Sequence, residues 1–450
     1  MHKTCIIGAG ISGLALAWQI KRQGGDCTIL EQASRVGGSM RSFRSGDYLA
    51  EEGPNSILLN SPEIEAFLLS IPGLKERMID AAPEANKRFI VRNGKPHSVP
   101  MSPLSVLTTP LWSFRGKLRV LKEPFVKTIA AEKEESVADF VRRRLGNELY
   151  EYAINPLIGG IYAGDPEQLS LRYAFPKLYT LEQNHGGLIR GALAKMRHSK
   201  RSSKPKIKKR IISFTDGIGE LPTKLADAIG ESLRTSVSIK SIHQVGDKWE
   251  ITSVTQKGEA VERFDQVILT TPAHRLAELP MSPEISESLK VLSEIDHPPV
   301  SVLSLAYKRK DIDHPLDGFG ALVPACERRS ILGALFPSSL FTGRAPNDEV
   351  LLTVFVGGER QPALATTDTA TLRATVLPEL EALLRIHGEP TFCHHKHWSK
   401  AIPQYKVGFG YYLDQMATLE RKHKGLKLAG NYRSGISVTS CIEAALEFKV

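Results

Sequence analysis

The sequence predicts a mixed α/β and α+β chain: a parallel-sheet domain, a second domain on an antiparallel sheet, and a helical insertion. Three stretches carry that expectation. The chain begins with a short apolar strand, a glycine-rich turn and a helix, the opening of a doubly wound sheet. From about Glu284 to His397, strands such as Val300–Leu305 and Val350–Val356 follow one another, with a helix near Leu372–Ile386. Between these regions, from Pro100 to about Lys127, apolar and basic residues alternate with prolines.

The first strand is Cys5-Ile6-Ile7, apolar throughout, as a strand buried on both faces requires. Gly8, Gly10 and Gly13 follow with Gly-x-Gly-x-x-Gly spacing. In that motif the first glycine makes the tight turn and the second admits a pyrophosphate against the backbone. The third lets the helix from Leu14 to Ile20 pack on the strand. The N–H groups of Ile11 and Ser12 then lie at a helix N-terminus, where an anion is favoured. A second strand, Cys27–Leu30, ends at Glu31, about 20 residues on, where an acid meets a ribose hydroxyl. Together these features predict a Rossmann-like dinucleotide site.

At 450 residues the chain exceeds one ordinary core, so two or three domains are expected. No apolar run approaches the ~18 residues of a membrane-spanning helix. The first strand begins close to Met1, leaving no room for a leader, and a cytoplasmic or processed protein is expected. Five scattered cysteines, Cys5, Cys27, Cys326, Cys393 and Cys441, argue against a disulfide framework or a zinc site. His394, His395 and His397 lie on a predicted strand, where neighbours face opposite sides, and no metal is expected there. A net charge of +10 favours anionic partners. Much of it sits in Lys195–Arg210, which reads either as a solvated loop or as a contact for anionic lipid. No nucleic-acid-binding module accompanies that run, so nucleic acid is not an expected partner.

After Glu31 the chain continues Gln32, Arg35, Val36, Gly37, Gly38, Ser39 and Arg41. This Glu-x-x-x-Arg-x-Gly-Gly-x-x-Arg string resembles the extended FAD signature of the amine oxidase and phytoene desaturase superfamily. A second dinucleotide motif is missing: Gly217-Ile218-Gly219 and Gly408-Phe409-Gly410 lack the third glycine. The reading is a flavin oxidase, and the parallel-sheet domain is an FAD-binding domain. In the superfamily the strand at Val237 returns to the dinucleotide domain, its backbone meeting the adenine, and Val267–Leu269 is another buried strand of that sheet. The closing segment, Gly430-Asn431 followed by Gly435 to Val438 and a helix from Cys441, matches the superfamily's C-terminal FAD motif. Trp398 is expected near the flavin. Many amine oxidases attach FAD through a cysteine ahead of the Gly-Asn turn. Cys441 lies beyond it, so noncovalent FAD is expected.

More specific strings occur in order along the whole chain. Glu52-Gly53-Pro54-Asn55-Ser56 resembles a segment beside the flavin ring in the porphyrinogen oxidases of haem synthesis, the protoporphyrinogen oxidases in particular. Gly159-Gly160-Ile161-Tyr162-Ala163-Gly164-Asp165-Pro166 resembles another, in which the position of Gly160 borders the substrate. From composition alone its glycines mark either backbone pressed against something bulky or a tight interdomain turn. Gly318–Pro324, Leu332–Phe336 and Phe355–Gly358 are further matches. The resemblance implies that Leu322 and Leu335 sandwich one pyrrole, Phe355 stacks on another, and Arg88 pairs with a propionate. It also implies that a methylene bridge gives up hydride to the flavin N5, so no nucleophile or strong base is nominated. Molecular oxygen is the expected acceptor and hydrogen peroxide the by-product. The tetrapyrrole is protoporphyrinogen IX, or in related bacterial enzymes coproporphyrinogen III; another amine or carotenoid oxidase is a more distant reading. Family members imply a homodimer.

The domains are accordingly expected at 1–87, 211–283 and 398–450 (FAD-binding), 88–210 (helical insertion) and 284–397 (substrate-binding). The insertion's apolar and basic residues fit a core-facing subdomain equally well. The resemblance makes it membrane-associated, at the inner face of the cell membrane.

Overall fold

In the computed structural model, which describes residues 2–130, 132–201 and 209–449, the apolar run at the N terminus becomes the strand Lys3–Ile7. It is the middle strand of a five-stranded parallel sheet. Across the sheet the order is Leu233–Arg234, Asp26–Leu30, Lys3–Ile7, Gln266–Leu269 and Leu426–Leu428. On one face Ile6, Ile29 and Ile268 pack under the helices Ile11–Arg22, Glu220–Ile229 and Val438–Glu447. On the other, Cys5, Ile7 and Leu269 meet Trp249, Ile251 and Phe264 of a three-stranded antiparallel sheet. Burial on both faces is why these strands are apolar throughout rather than alternating.

That second sheet corrects one expectation. The strand after Val237, Ser238–Val245, pairs antiparallel with Lys248–Thr255 and does not return to the parallel sheet. The return is made earlier by Leu233–Arg234, alongside Asp26–Leu30. Val237 still reaches the dinucleotide side, because its N–H donates to the carbonyl of Glu31 (2.9 Å).

The substrate domain is a seven-stranded sheet. Its order is Phe392–Trp398, Val300–Lys308, Glu349–Gly357, Ile331–Leu335, Gly318–Leu322, Lys87–Arg92 and Lys95–Ser98. The last two strands form the expected hairpin through Asn93 and Gly94, both at positive φ (53° and 71°), as a tight primed turn demands. This hairpin does not belong with the helical insertion, where the expected boundary at residue 88 puts it. Lys87–Arg92 pairs with Gly318–Leu322, and in parallel, so the sheet is mixed rather than purely antiparallel. One face is covered by the helix Thr369–Leu384, whose Leu372, Val376, Leu380 and Leu383 pack on Leu303, Leu305, Leu352 and Val354. Asp368 starts that helix by accepting the N–H groups of Ala370 and Thr371. The opposite face is free of it.

Residues 103–201 form the helical region. Val137–Leu145 is capped by Ser136, which accepts the N–H of Asp139 at 3.0 Å. Gly159 and Gly160 lie within the helix Asn155–Tyr162, not in a turn; the turn begins at Ala163, which is left-handed. Arg144, wholly buried, is shared by the buried carboxylates of Glu123 and Glu182. Glu123 also accepts the N–H groups of Leu188 and Ile189, tying the apolar segment before it to the helix Leu188–Arg201. Of the basic run at 195–210, residues 202–208 lie outside the described residues.

Candidate functional site

Three loops meet at the carboxyl end of the parallel sheet. The first is the glycine turn after Lys3–Ile7. A Cβ at Gly13 would collide with the carbonyl of Gly8 and lie 2.7 Å from Thr270 Oγ1. The helix Ile11–Arg22 therefore sits directly on the turn, as the spacing requires. Its first turn holds no acidic residue, and Gly10 at the cap position offers no side chain to the N–H groups. Those donors and the helix dipole suit a diphosphate. Glu31 closes the turn from the second strand, accepting the N–H of Ala9 at 2.7 Å and of Ala33 at 2.8 Å.

The second loop lies against the first: the Gly37 N–H donates to the carbonyl of Ala9, and Gly10 pairs with Gly37. Arg35 donates to the carbonyls of Val36 and Gly38, and Gln32 and Ser39 are exposed beside it. Desolvation, reinforced by the like charge of Arg41, lowers the Arg35 pKa, so an anion here is favoured. The third loop, Gly53–Ser56, packs on the second so closely that a Cβ at Gly53 would meet the Ser39 carbonyl. Glu52, just before it, pairs with Arg41 at 2.9 Å and His394 at 3.0 Å, and its carbonyl accepts the indole N–H of Trp398 at 2.6 Å.

From the other side comes the C-terminal turn. Gly430 leads into Asn431, whose carbonyl accepts the Tyr405 hydroxyl, and the same oxygen of Tyr405 accepts the Gly435 N–H. The closing helix is Val438–Glu447, three residues longer at its start than the sequence suggests. Ser437 caps it by accepting the N–H of Ser440, and Val438 is its first, buried residue. Asn55 Oδ1 and Thr271 Oγ1, at the edges of these loops, are buried without a partner among the described residues. Orphaned polar atoms, a glycine cradle and an uncapped helix end are what a bound flavin dinucleotide would satisfy.

The substrate candidates fall together by register. Ile90 stands opposite Leu322, Leu322 opposite Gly333, Gly333 opposite Phe355, and Phe355 opposite Val302. Arg88 and Leu335 lie two residues along from Ile90 and Gly333 on their strands, hence on the same face. Arg88, Leu322, Leu335 and Phe355 lie on the face away from the helix Thr369–Leu384, outside the cluster it covers. Gly160 closes over them: a Cβ there would lie 2.6 Å from Leu322 Cδ2. Arg88 is exposed, its guanidinium 5.7 Å from the centre of the Phe319 ring. Leu322, Leu335 and Phe355 are each half-buried, unlike the core residues between them. Two other basic residues singled out near this face are occupied or remote. Arg92 pairs with Glu148, and Arg172 lies over Tyr173 and Tyr179 in the helical region.

The three histidines do not converge. His394 stacks on Phe43 at 3.9 Å and bonds Glu52, while His395 bonds Ser301 and Thr369 on the other side of the strand. Sequence reasoning missed Glu52, His394 and Tyr405, which hold the loops together. It also missed Thr353 and Ser304, whose buried hydroxyls on the open face have no partner among the described residues. The Glu52–Gly53 adjacency was the available signal for the first.

The glycine cradle and the adjoining apolar face suit a flavin-dependent oxidoreductase. Comparison with known proteins agrees: the description "flavin containing amine oxidoreductase" matches residues 11–447. The chain belongs to that family. It is 34% identical to the mitochondrial protoporphyrinogen oxidase of Nicotiana tabacum over 98% of this chain and 93% of the relative. It is 28% identical to the coproporphyrinogen III oxidase of Staphylococcus aureus, over 97% and 96%. A crystal structure of a provisionally assigned protoporphyrinogen oxidase from Exiguobacterium sp. 255-15 shares the fold, with a TM-score of 0.79 at 23% identity, over 99% and 97%.

Proposed function

We propose that this chain oxidises protoporphyrinogen IX to protoporphyrin IX in haem biosynthesis, with noncovalent FAD as cofactor and molecular oxygen as acceptor, releasing hydrogen peroxide. The observation that carries the reading is the shared sheet face of Arg88, Leu322, Leu335 and Phe355, closed by Gly160. A flat macrocycle with anionic tails calls for an apolar slot with a cation at its edge. When bound, the flavin supplies a hydride acceptor. The chain's residues orient and desolvate: Leu322 and Leu335 grip one pyrrole, Phe355 stacks on another, and Arg88 anchors a carboxylate. A porphyrinogen loses hydride readily because its pyrroles delocalise the resulting charge, so the protein needs no strong base.

Noncovalent attachment is supported by Cys441. Burial pushes its thiol up, and it donates toward the Gly435 carbonyl, so it is a poor nucleophile. Acid precipitation should release free FAD into the supernatant; flavin retained in the pellet would refute this.

Membrane association is supported by the helical region. Phe114, Leu118 and Leu121 form one stripe on the helix Phe114–Leu121 and are all exposed, as are Leu104, Leu107 and Phe125, the last at 83%. Arg115 and Lys122 flank them. Such a surface suits an anionic bilayer interface, in keeping with a peripheral enzyme at the inner face of the cell membrane; no helix among the described residues is long and apolar enough to cross it. Flotation with anionic but not neutral vesicles is the expected result.

The test of function is an aerobic porphyrin-fluorescence assay with protoporphyrinogen IX and coproporphyrinogen III in parallel. Faster turnover of the first supports the main reading. Preference for the second would move the enzyme to the reaction of its 28%-identical relative. Turnover of neither would reject porphyrinogen oxidation.

A further inference from the structure

Other arginines on and beside this sheet have partners: Arg92 has Glu148, Arg329 has Glu379, and Arg344 is enclosed by oxygens of Ser213, Phe214 and Thr215. Arg360 differs. It follows the strand Glu349–Gly357 in the turn Gly358-Glu359-Arg360, pinned when the Glu359 N–H donates to the Ala163 carbonyl at 2.8 Å. Its side chain is half-buried between the Leu322 strand and the helix Asn155–Tyr162. Nη1 donates to the Val323 carbonyl at 3.0 Å, and Nη2 lies 3.4 Å from where a Gly159 Cβ would stand. No carboxylate pairs with it among the described residues. Its neighbour Glu359 instead turns to Lys406, at 3.0 Å. Desolvation lowers its pKa, a cost that an anion beside it would offset.

The position is informative. Arg88 stands over Phe319 and Arg360 is bound at Val323, so the two guanidiniums flank Leu322 at opposite ends of one strand. At about 3.3 Å per residue, those anchor points are ~13 Å apart. That is the span of a tetrapyrrole carrying carboxylates on both edges. We propose that Arg360 is a second carboxylate-binding residue of the substrate site, opposite Arg88, so that the pocket accepts porphyrinogens with propionates at both edges as well as at one. This rests on the porphyrinogen reading above. Val323 supplies one acceptor for the guanidinium, and an arriving carboxylate supplies the charge it lacks.

The test uses flavin-loaded wild type, Arg360→Gln and Arg360→Lys, with flavin content and melting temperature checked first. Binding of coproporphyrin III and protoporphyrin IX is read by fluorescence, and KM and kcat are measured with both porphyrinogens. Wild type should bind and turn over both. Arg360→Gln should weaken coproporphyrin III binding and raise KM for its porphyrinogen about tenfold, with kcat nearly constant. Values for the dicarboxylate pair should change less than about twofold. Arg360→Lys should recover part of the loss, and it stands in if the Gln variant fails to fold. Equal losses for both substrates, no loss for either, or failure of wild type to bind coproporphyrin III would overturn the assignment. Wild type that turns over neither porphyrinogen, yet binds coproporphyrin III through Arg360, would sink the oxidase reading and leave the carboxylate site standing.

Discussion

The cofactor loops and the substrate face are built by opposite means. The loops are placed by the backbone: glycines let chain segments touch, and main-chain N–H and carbonyl groups join Ala9 to Gly37 and Val237 to Glu31. The substrate face is placed by register, and its chemistry is carried by half-buried side chains that can move. A change in the loops meets rigid neighbours and acts on folding and flavin together. A change on the face meets flexible neighbours and should act on substrate alone.

Gly13→Ala is the strongest way to break that contrast. The added methyl meets the Gly8 carbonyl and Thr270 Oγ1, which itself donates to the carbonyls of Ile7 and Gly8 at 2.9 Å. Neither can yield without dismantling the turn. A cost of about 3 kcal/mol or more is expected, with purified protein nearly devoid of flavin absorbance. A variant that keeps its full flavin complement would show the loop to be softer than its contacts imply.

Gly160→Ala probes the other side at comparable distance. Its methyl would stand 2.6 Å from Leu322 Cδ2, the end of a side chain that can rotate. Flavin content should stay intact while kcat/KM falls about tenfold, an overpacking cost near 1–2 kcal/mol. Loss of flavin in this variant would erase the distinction between the regions.

The same contrast explains what was legible in the sequence. Gly8, Gly10, Gly13 and Glu31 are constrained by local sterics at fixed spacing, and the loops stand where that spacing implies. Leu322 and Phe355 look like any core residue until strand pairing puts them opposite Gly333. The parallel pairing of Lys87–Arg92 with Gly318–Leu322 joins segments remote in sequence, and no local pattern announces it. The hairpin was therefore legible as a hairpin and misassigned as to domain. Arg360 was invisible for a related reason: a lone arginine after two glycines has no period, and its missing partner is a fact of three dimensions.

Arg88→Ala sharpens the comparison at the exposed rim. Among the described residues the Arg88 side chain makes a long contact with the Asn86 carbonyl, at 3.5 Å, and lies over Phe319, so the fold does not depend on it. KM for the porphyrinogen should rise about tenfold, with melting temperature and flavin unchanged. An unchanged KM would remove Arg88 from the site.

The smallest effect is expected at Glu51, which joins its own hairpin, at Ser42, to the turn at 216–219. Its carboxylate accepts the Ser42 hydroxyl at 2.6 Å and the Ile218 N–H at 2.8 Å. Desolvation pushes its pKa up to about 7, against these two bonds and the positive charge of Arg344. A carboxyl whose pKa is raised on folding holds its proton longer in the folded state. Its stabilising contribution is therefore complete below the ordinary glutamate value of about 4.3 and declines as pH rises toward 7, with no further change above. Glu51→Gln removes that titration while keeping an oxygen acceptor. Melting temperatures from pH 5 to 8 should show wild type losing stability relative to the variant by a few degrees between pH 5 and 7, then running parallel. A gap that does not move with pH would mean that Glu51 stays ionised, its charge balanced by Arg344, and that this junction is held by an ion pair rather than by neutral hydrogen bonds.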